Sequence, residues 1–241
     1  VVTNVVLPET SSLVWTTNCK PDDEFIRFFF VDPDLNALYQ YQAYEAISSD
    51  GTAYIDTGVK FSNGDSAECL FRYDATAAAP DHALFGCRVK SGETVQAVIG
   101  GRNIWAHYWD NENTQLNVEY NSEWKQHDGM TIYVRSDYRR LERYLEKSQT
   151  WKIDGETTVP YAGEDFTTQT NVWLFALSGP GCIGYDGNNK PIANGIPIRY
   201  LRIWNASGVL KCDLWAAKRL SDGKFGMYDK PYITAERFDT A

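Results

Sequence analysis

The strongest constraint on this chain is a two-residue alternation of apolar and polar side chains, repeated in short runs that glycine, asparagine and aspartate interrupt. Cys69, Phe71 and Tyr73 alternate with Glu68 and Arg72, and Leu116, Val118 and Tyr120 alternate with Asn117 and Glu119. Successive side chains of a strand point to opposite faces, so each run describes a strand with one wet and one buried face. Residues 198–204 and 209–215 flank Asn205-Ala206-Ser207-Gly208, a hairpin signal. Residues 172–177 are apolar on both faces, which predicts a central strand covered on each side. Turn-forming clusters recur at Asn63-Gly64-Asp65, Gly100-Gly101, Asp154-Gly155 and Asp186-Gly187-Asn188. Many short strands joined in this way predict an all-β fold, a two-sheet antiparallel β-sandwich.

Residues 1–40 read differently and are expected to form an N-terminal appendage, with the sandwich occupying residues 41–241. Pro21-Asp22-Asp23-Glu24 places proline and acids where a helix would start, and Phe25, Phe28 and Phe29 follow at helical spacing. A second candidate helix runs from Pro33, with Leu35, Leu38 and Tyr39 on one face. Residues 25–31 fit a short buried strand equally well, because periodicity does not separate the two in so short a run. Phe25, Phe28, Phe29 and Phe30 are too many aromatics to leave in water, so they are expected to pack on the sandwich or on a partner chain.

Residues 138–149 carry Leu141, Tyr144 and Leu145 at helical spacing among Arg139, Arg140, Arg143 and Lys147. Strand-like residues 131–134 and 151–153 on either side favour a charged hairpin over a helix. Arg135, Arg139, Arg140 and Arg143 make a local basic patch, which Glu142 and Glu146 turn into an expected solvated, salt-bridged face.

Composition removes several function classes. The net charge is −9, from 32 acidic and 23 basic residues, which argues against nucleic acid as a partner, since a basic footprint supplies most of that affinity. No apolar run approaches the roughly 18 residues of a membrane helix, so membrane insertion is not expected. The five cysteines (Cys19, Cys69, Cys87, Cys182 and Cys212) are odd in number and lack a CxxC pair. Buried thiols are the expected state, with one or two disulfides as the alternative.

Catalytic signatures are weak. Gly179-Pro180-Gly181-Cys182-Ile183-Gly184 is formally GxGxxG, but residues 185–191 (YDGNNKP) cannot open the helix a dinucleotide site needs, so it reads as an inter-strand loop. The three histidines, His82, His107 and His127, form no HExxH set, and there is no GxSxG elbow. Glycan hydrolysis requires a spaced carboxylate pair, and the near misses are Asp110 with Glu112 and Glu119 with Glu123. No catalytic or metal-ligating residue is therefore assigned, and no cofactor. Calcium is the one ion the loops leave open, through Asp110, Asn111 and Glu112 or Asp186 and Asn188, residue types that turns also favour.

Binding is easier to place. In residues 103–111 (NIWAHYWDN), a strand puts Ile104, Ala106 and Tyr108 on one face and Trp105, His107 and Trp109 on the other. If the first set fills the core, two indoles and an imidazole remain outside, followed by Asp110 and Asn111 at the strand end. Sugars stack their apolar faces on indoles while amides and acids take their hydroxyls, so these five residues are the candidate glycan-binding set. The opposite arrangement, with the indoles in the core, leaves Tyr108 outside.

Several phrases taken together resemble one family. Residues 44–58 (YEAISSDGTAYIDTG), Leu84-Phe85-Gly86, Ile153-Asp154-Gly155 and residues 172–176 are similar to concanavalin A-like (LamG-type) jelly-roll domains of gut bacteria and their phages. The match is closest at the end, in residues 198–204, the Asn205–Gly208 turn, Asp213-Leu214, residues 217–223 and Gly226-Met227-Tyr228-Asp229. The resemblance covers about residues 44–235. It implies a two-sheet jelly roll and, more loosely, a module of a phage structural protein or a bacterial surface protein. The expectation is a non-catalytic recognition or assembly module in a virion or at a cell surface. Its partners would be a cell-surface glycan or protein, and neighbouring virion or surface-protein subunits held through residues 1–40. A glycan-active enzyme and a purely structural virion component are the alternatives.

Overall fold

The computed structural model describes residues 5–6, 12–14, 29–31, 41–49, 51, 53–73, 82–90, 93–100, 103–109, 115–120, 122–124, 128–179, 196–229 and 236–238. Among these residues every regular element is a strand. Near the N-terminus, β1 (Val5–Val6), β2 (Ser12–Val14) and β3 (Phe29–Val31) pair into a three-stranded antiparallel sheet of their own. Of the two readings for residues 25–31, the backbone at 29–31 is strand; Phe25, Phe28 and the helix expected from Pro33 lie outside the described residues.

Two larger antiparallel sheets form the sandwich. One has six strands: β10 (Leu116–Glu119), β9 (Asn103–Tyr108), β8 (Glu93–Gly100), β7 (His82–Lys90), β14 (Trp173–Leu174) and β5 (Ile55–Asp56), in that order. The other has nine. Seven follow in the order β13 (Thr150–Thr157), β12 (Arg139–Leu145), β11 (Gly129–Val134), β6 (Ser66–Arg72), β15 (Ile198–Trp204), β16 (Leu210–Arg219) and β17 (Phe225–Asp229). Beyond them β18 (Glu236–Phe238) pairs with β17, and β4 (Tyr41–Ala43) pairs with β16.

Register explains the core. Leu141, Ile132, Cys69, Leu201 and Leu214 stand directly opposite one another across β12, β11, β6, β15 and β16, and all five are fully buried. They face Phe85, Val95, Ala97, Ile104 and Tyr108 of the other sheet in one continuous cluster. One residue along each strand the side chains turn outward, as the period of two demands. The Tyr108 hydroxyl reaches the Asn63-Gly64-Asp65 turn, where the Gly64 N–H donates to it at 2.7 Å.

Several expectations meet the coordinates directly. Residues 138–149 are a hairpin, with β12 paired to β13. Asn205 closes the β15–β16 turn, its side-chain oxygen accepting from Ser207 N and Val209 N at 3.0 and 2.8 Å. Cys69, Cys87 and Cys212 are buried free thiols, whereas Cys19 and Cys182 lie outside the described residues. Burial pushes the Cys87 thiol up to about 12 and raises Cys69 as well.

Three expectations need correction. The arginine patch is not a uniformly solvated face: β12 alternates, so Arg139 and Arg143 turn inward with Leu141 while Arg140 stays outside. Buried Arg139 donates to the carbonyls of Arg135 and Val159, and Arg143 donates to Asp154 at 2.8 Å. Asp154-Gly155 is not a turn but lies within β13. Asp154 is the extra residue of a bulge opposite Leu141 and Glu142, and Gly155 is pressed so closely on Val118 that a Cβ would overlap it. Residues 172–177 are buried throughout or nearly so, yet only Trp173–Leu174 is strand, because the chain turns at Phe175 with φ +65°.

Candidate functional site

The outer face of the six-stranded sheet follows from the alternation of β8. Val95, Ala97 and Ile99 point into the main core, so Thr94, Gln96 and Val98 point the other way. Register then assembles this face in rows. One runs Asp56, Trp173, Gly86, Gln96, His107 across β5, β14, β7, β8 and β9. A second runs Ala83, Val98, Trp105, Asn117 across β7 to β10. On the far side of Gln96, Arg88 stands directly opposite Thr94.

Apolar and aromatic groups shape this surface. Ala83, Val98 and Leu177 form a small buried cluster on which half-buried Trp105 packs. Half-buried Trp173 stacks on Tyr54 with ring centroids 3.9 Å apart. Between Trp173 and Gln96 lies Gly86, with φ +151°, where a Cβ would collide with Gln96 and the Val95 carbonyl. Only glycine fits there, because Gln96 and the Val95 carbonyl already fill the space a side chain would take.

The polar groups of this face are unusual. Thr94 and Gln96 are 5% and 6% exposed, yet Thr94 Oγ1 and Gln96 Oε1 have no hydrogen-bond partner among the described residues. The Nε of half-buried Arg88 is also buried without a partner among the described residues. A buried polar group left unpaired costs about 1–3 kcal/mol, so most proteins pair or replace it. Here three such groups sit together, two of them directly opposite each other. His107 stands opposite Gln96 on the same face and is half-buried.

The nine-stranded sheet presents a different outer face. Glu156, Arg140, Tyr133, Glu68, Arg202 and Asp213 follow one another across β13, β12, β11, β6, β15 and β16. Arg140 bonds Glu156 and Glu142, Arg202 bonds Asp213 at 2.9 Å, and the Trp215 indole N–H donates to the same carboxylate at 2.6 Å. Tyr200 donates to Glu68. Burial first, then its bond to Glu68, raises the pKa of Tyr200, so it remains a proton donor; burial and the Glu68 and Glu142 carboxylates do the same to Tyr133.

The five residues singled out from the sequence part company. Ile104, Ala106 and Tyr108 are buried in the core, which leaves Trp105 and His107 together on the outer face. Trp109 is not with them. The strand ends at Tyr108, and Trp109 takes φ +50°, outside the extended backbone that maintains alternation. Its N–H donates to the Thr94 carbonyl at 2.6 Å, and its indole stacks on Phe166 with centroids 4.2 Å apart. There it lines a cleft of about 640 Å³ with Glu93 and residues 159–166. The two-indole platform on one face is thus replaced by one indole on the sheet and one at its end. Asp110 and Asn111 lie outside the described residues.

Sequence reading missed Arg88, Thr94, Gln96 and Trp173. The signal was present in Thr94-Val95-Gln96-Ala97, a period-two run whose polar members are short and uncharged. Of the near-miss carboxylates, Glu123 is held by Lys152 at 3.1 Å and Arg143 at 3.6 Å, while Asp110 and Glu112 are outside the described residues. Among the described residues no group of three or more His, Cys, Asp or Glu side chains gathers to hold a metal ion. The loops named for calcium fall outside them.

No known family model matches the chain, and no curated protein matches it. Solved structures similar to it include full-length tailspike protein 2 of a bacteriophage of Escherichia coli O157:H7. That likeness has a TM-score of 0.35 and 6% identity, and covers 85% of this chain and 24% of the tailspike. Another is the enzymatically active domain of tailspike protein 2 of bacteriophage CBA120, at TM-score 0.35 and 7% identity, covering 68% of this chain and 24% of that one. The chain spans about a quarter of the length of the structures it matches.

Proposed function

We propose that this chain is a non-catalytic recognition module that binds a glycan on the outer face of its six-stranded sheet. The observation that carries the reading is the company kept by Trp105. One face offers the exposed part of an indole at Trp105, a second half-buried indole at Trp173 and half-buried His107. Sugars need such parts: flat apolar surface for ring faces and a polar group beside it for hydroxyls. Trp109 and its cleft lie at the end of β9, beside Glu93. The sequence resemblance, over about residues 44–235, supports a setting in a virion attachment protein or a surface adhesin; residues 1–40, outside it, would be the anchor to neighbouring subunits.

A glycan array tests the reading. The full chain is expected to retain one class of glycan, and Trp105→Ala to lose it while keeping its melting temperature within a few degrees. A hydrolysis screen against the retained glycan is expected to release no reducing ends. Steady release would replace recognition by catalysis.

A further inference from the structure

We propose that the cleft beside Trp109 is a second binding site, which takes a lysine or arginine side chain from a basic segment of a partner protein. It lies at the end of β9 rather than on the sheet face described above, and stands on its own observations. The cleft, about 640 Å³, is bounded by Glu93 and Trp109 at the end of the β8–β9 pair and by the segment 159–166 that follows β13. Solvent reaches it: Glu93 and Trp109 are half-buried, and of residues 159–166 only Phe166 is buried. Its wall is nonetheless fixed. Fully buried Arg139 donates to the Val159 carbonyl at 2.9 Å, the Tyr161 N–H to the Ser136 carbonyl at 2.7 Å, and Asn63 Nδ2 to Asp165 at 2.7 Å. A wall held in place before binding loses less conformational freedom when a ligand arrives.

The lining identifies the occupant. Trp109 stacks on Phe166 with ring planes 6° apart, so one face of the indole is covered and the rest of the ring is left to the cleft. Val159, 48% exposed, and Tyr161 extend the apolar surface. Glu93, Glu164 and Asp165 share this lining, and among the described residues no lysine or arginine does. Glu93 stands opposite Lys90 in the β7–β8 register, so the charge argument rests on Glu164 and Asp165, which form no ion pair among the described residues. Apolar surface with such acids beside it complements a long aliphatic stem that ends in a cation. The stem packs against Trp109, whose ring also attracts the charge, and the head reaches the carboxylates. A neutral sugar would leave the acids unanswered. An amine-bearing sugar would answer them but turns hydroxyls, not methylenes, toward Val159. The net charge of −9 adds long-range attraction for a basic partner.

The test titrates the full chain into fluorescein-labelled octalysine and octaarginine at physiological salt and follows anisotropy. At least one peptide is expected to bind. Glu164→Gln with Asp165→Asn should weaken it about 3- to 30-fold, the scale of two partly solvated ion pairs. Asparagine keeps an oxygen for Asn63, so the melting temperature should hold within a few degrees. Glu119→Gln with Glu146→Gln removes the same charge from exposed positions, Glu119 being paired with the opposite end of β9, and should change binding less than about 2-fold. Trp105→Ala should leave it unchanged. Equal weakening by the two double variants would reduce the effect to attraction between opposite net charges and overturn the site, as would an equal loss in Trp105→Ala. Binding of a glucosamine tetramer, lost in the Glu164, Asp165 variant, with neither peptide bound, would assign the cleft to an amine-bearing glycan and overturn the protein partner. No binding of any probe would overturn it as well. The glycan face is decided separately, by whether Trp105→Ala loses the glycan retained on the array.

Discussion

On the outer face of the nine-stranded sheet, Arg140 meets Glu142 and Glu156 and Arg202 meets Asp213; on the outer face of the six-stranded sheet, Arg88 meets no carboxylate among the described residues. Both faces are laid out in rows by the same register rule, and both mix aromatic with polar side chains. They differ in whether the polar groups are satisfied within the protein. A satisfied ladder stiffens a surface and leaves little for a ligand to gain, whereas unsatisfied groups lower stability until something else bonds them. Stability given up locally in this way is characteristic of sites, so the six-stranded face is the one to test for function.

The largest effect is expected away from both faces, where pairing is buried. Asp154 and Arg143 side chains are 4% and 6% exposed and 2.8 Å apart. Asp154→Ala strands the arginine charge in the interior and should cost about 3–5 kcal/mol in urea unfolding. Should the loss stay under roughly 1 kcal/mol, Asp128 suffices as partner and the bulge at Asp154 is not structurally important.

Next comes the core where the two sheets meet. Tyr108→Phe removes the hydroxyl that Gly64 N–H bonds and should cost about 1–2 kcal/mol. It should also change the alkaline limb. Burial first pushes Tyr108 from its ordinary 10.0 up to about 12, and Cys87 from 9.0 up to about 12. The unfolded chain loses these protons first. The stability they contribute is therefore complete below pH 9 and falls as the pH climbs toward 12. The double variant Tyr108→Phe, Cys87→Ala should unfold with a flatter slope over that range; an unchanged slope would locate the alkaline titration elsewhere.

The satisfied face should be nearly silent. Arg202→Met removes a pair that is still partly solvated and should change stability by no more than about 1 kcal/mol, with glycan retention unaltered. A loss of retention here would move the recognition surface to the nine-stranded sheet and undo the comparison.

Much of the fold was legible because alternation and turn chemistry act locally. β6, β10, the β15–β16 hairpin and the β12–β13 hairpin can each be read from their own residues. What was not legible depends on partners distant in sequence. The break at Phe175 and the bulge at Asp154 are set by neighbouring strands, so Val172 to Leu177 looked like a full strand and Asp154-Gly155 like a turn. The same holds for the site. Trp105 and His107 were found because a single strand's alternation places them, whereas Trp109 was misplaced because its departure depends on stacking with Phe166, 57 residues later in sequence. Arg88, Thr94 and Gln96 are conspicuous only once the register brings them together and no described residue bonds Arg88 Nε, Thr94 Oγ1 or Gln96 Oε1.

The central claim about the six-stranded face is that Thr94 and Gln96 are buried there without partners among the described residues, at a cost to the protein. The unfolding free energy of the ligand-free Thr94→Val, Gln96→Leu double variant tests it most directly. Apolar residues of similar shape should leave stability unchanged or raise it by up to about 1–3 kcal/mol, because the buried unpaired groups are gone. A fall of more than about 1 kcal/mol would show that the two side chains are already bonded within the protein, and the contrast between the two faces would fail.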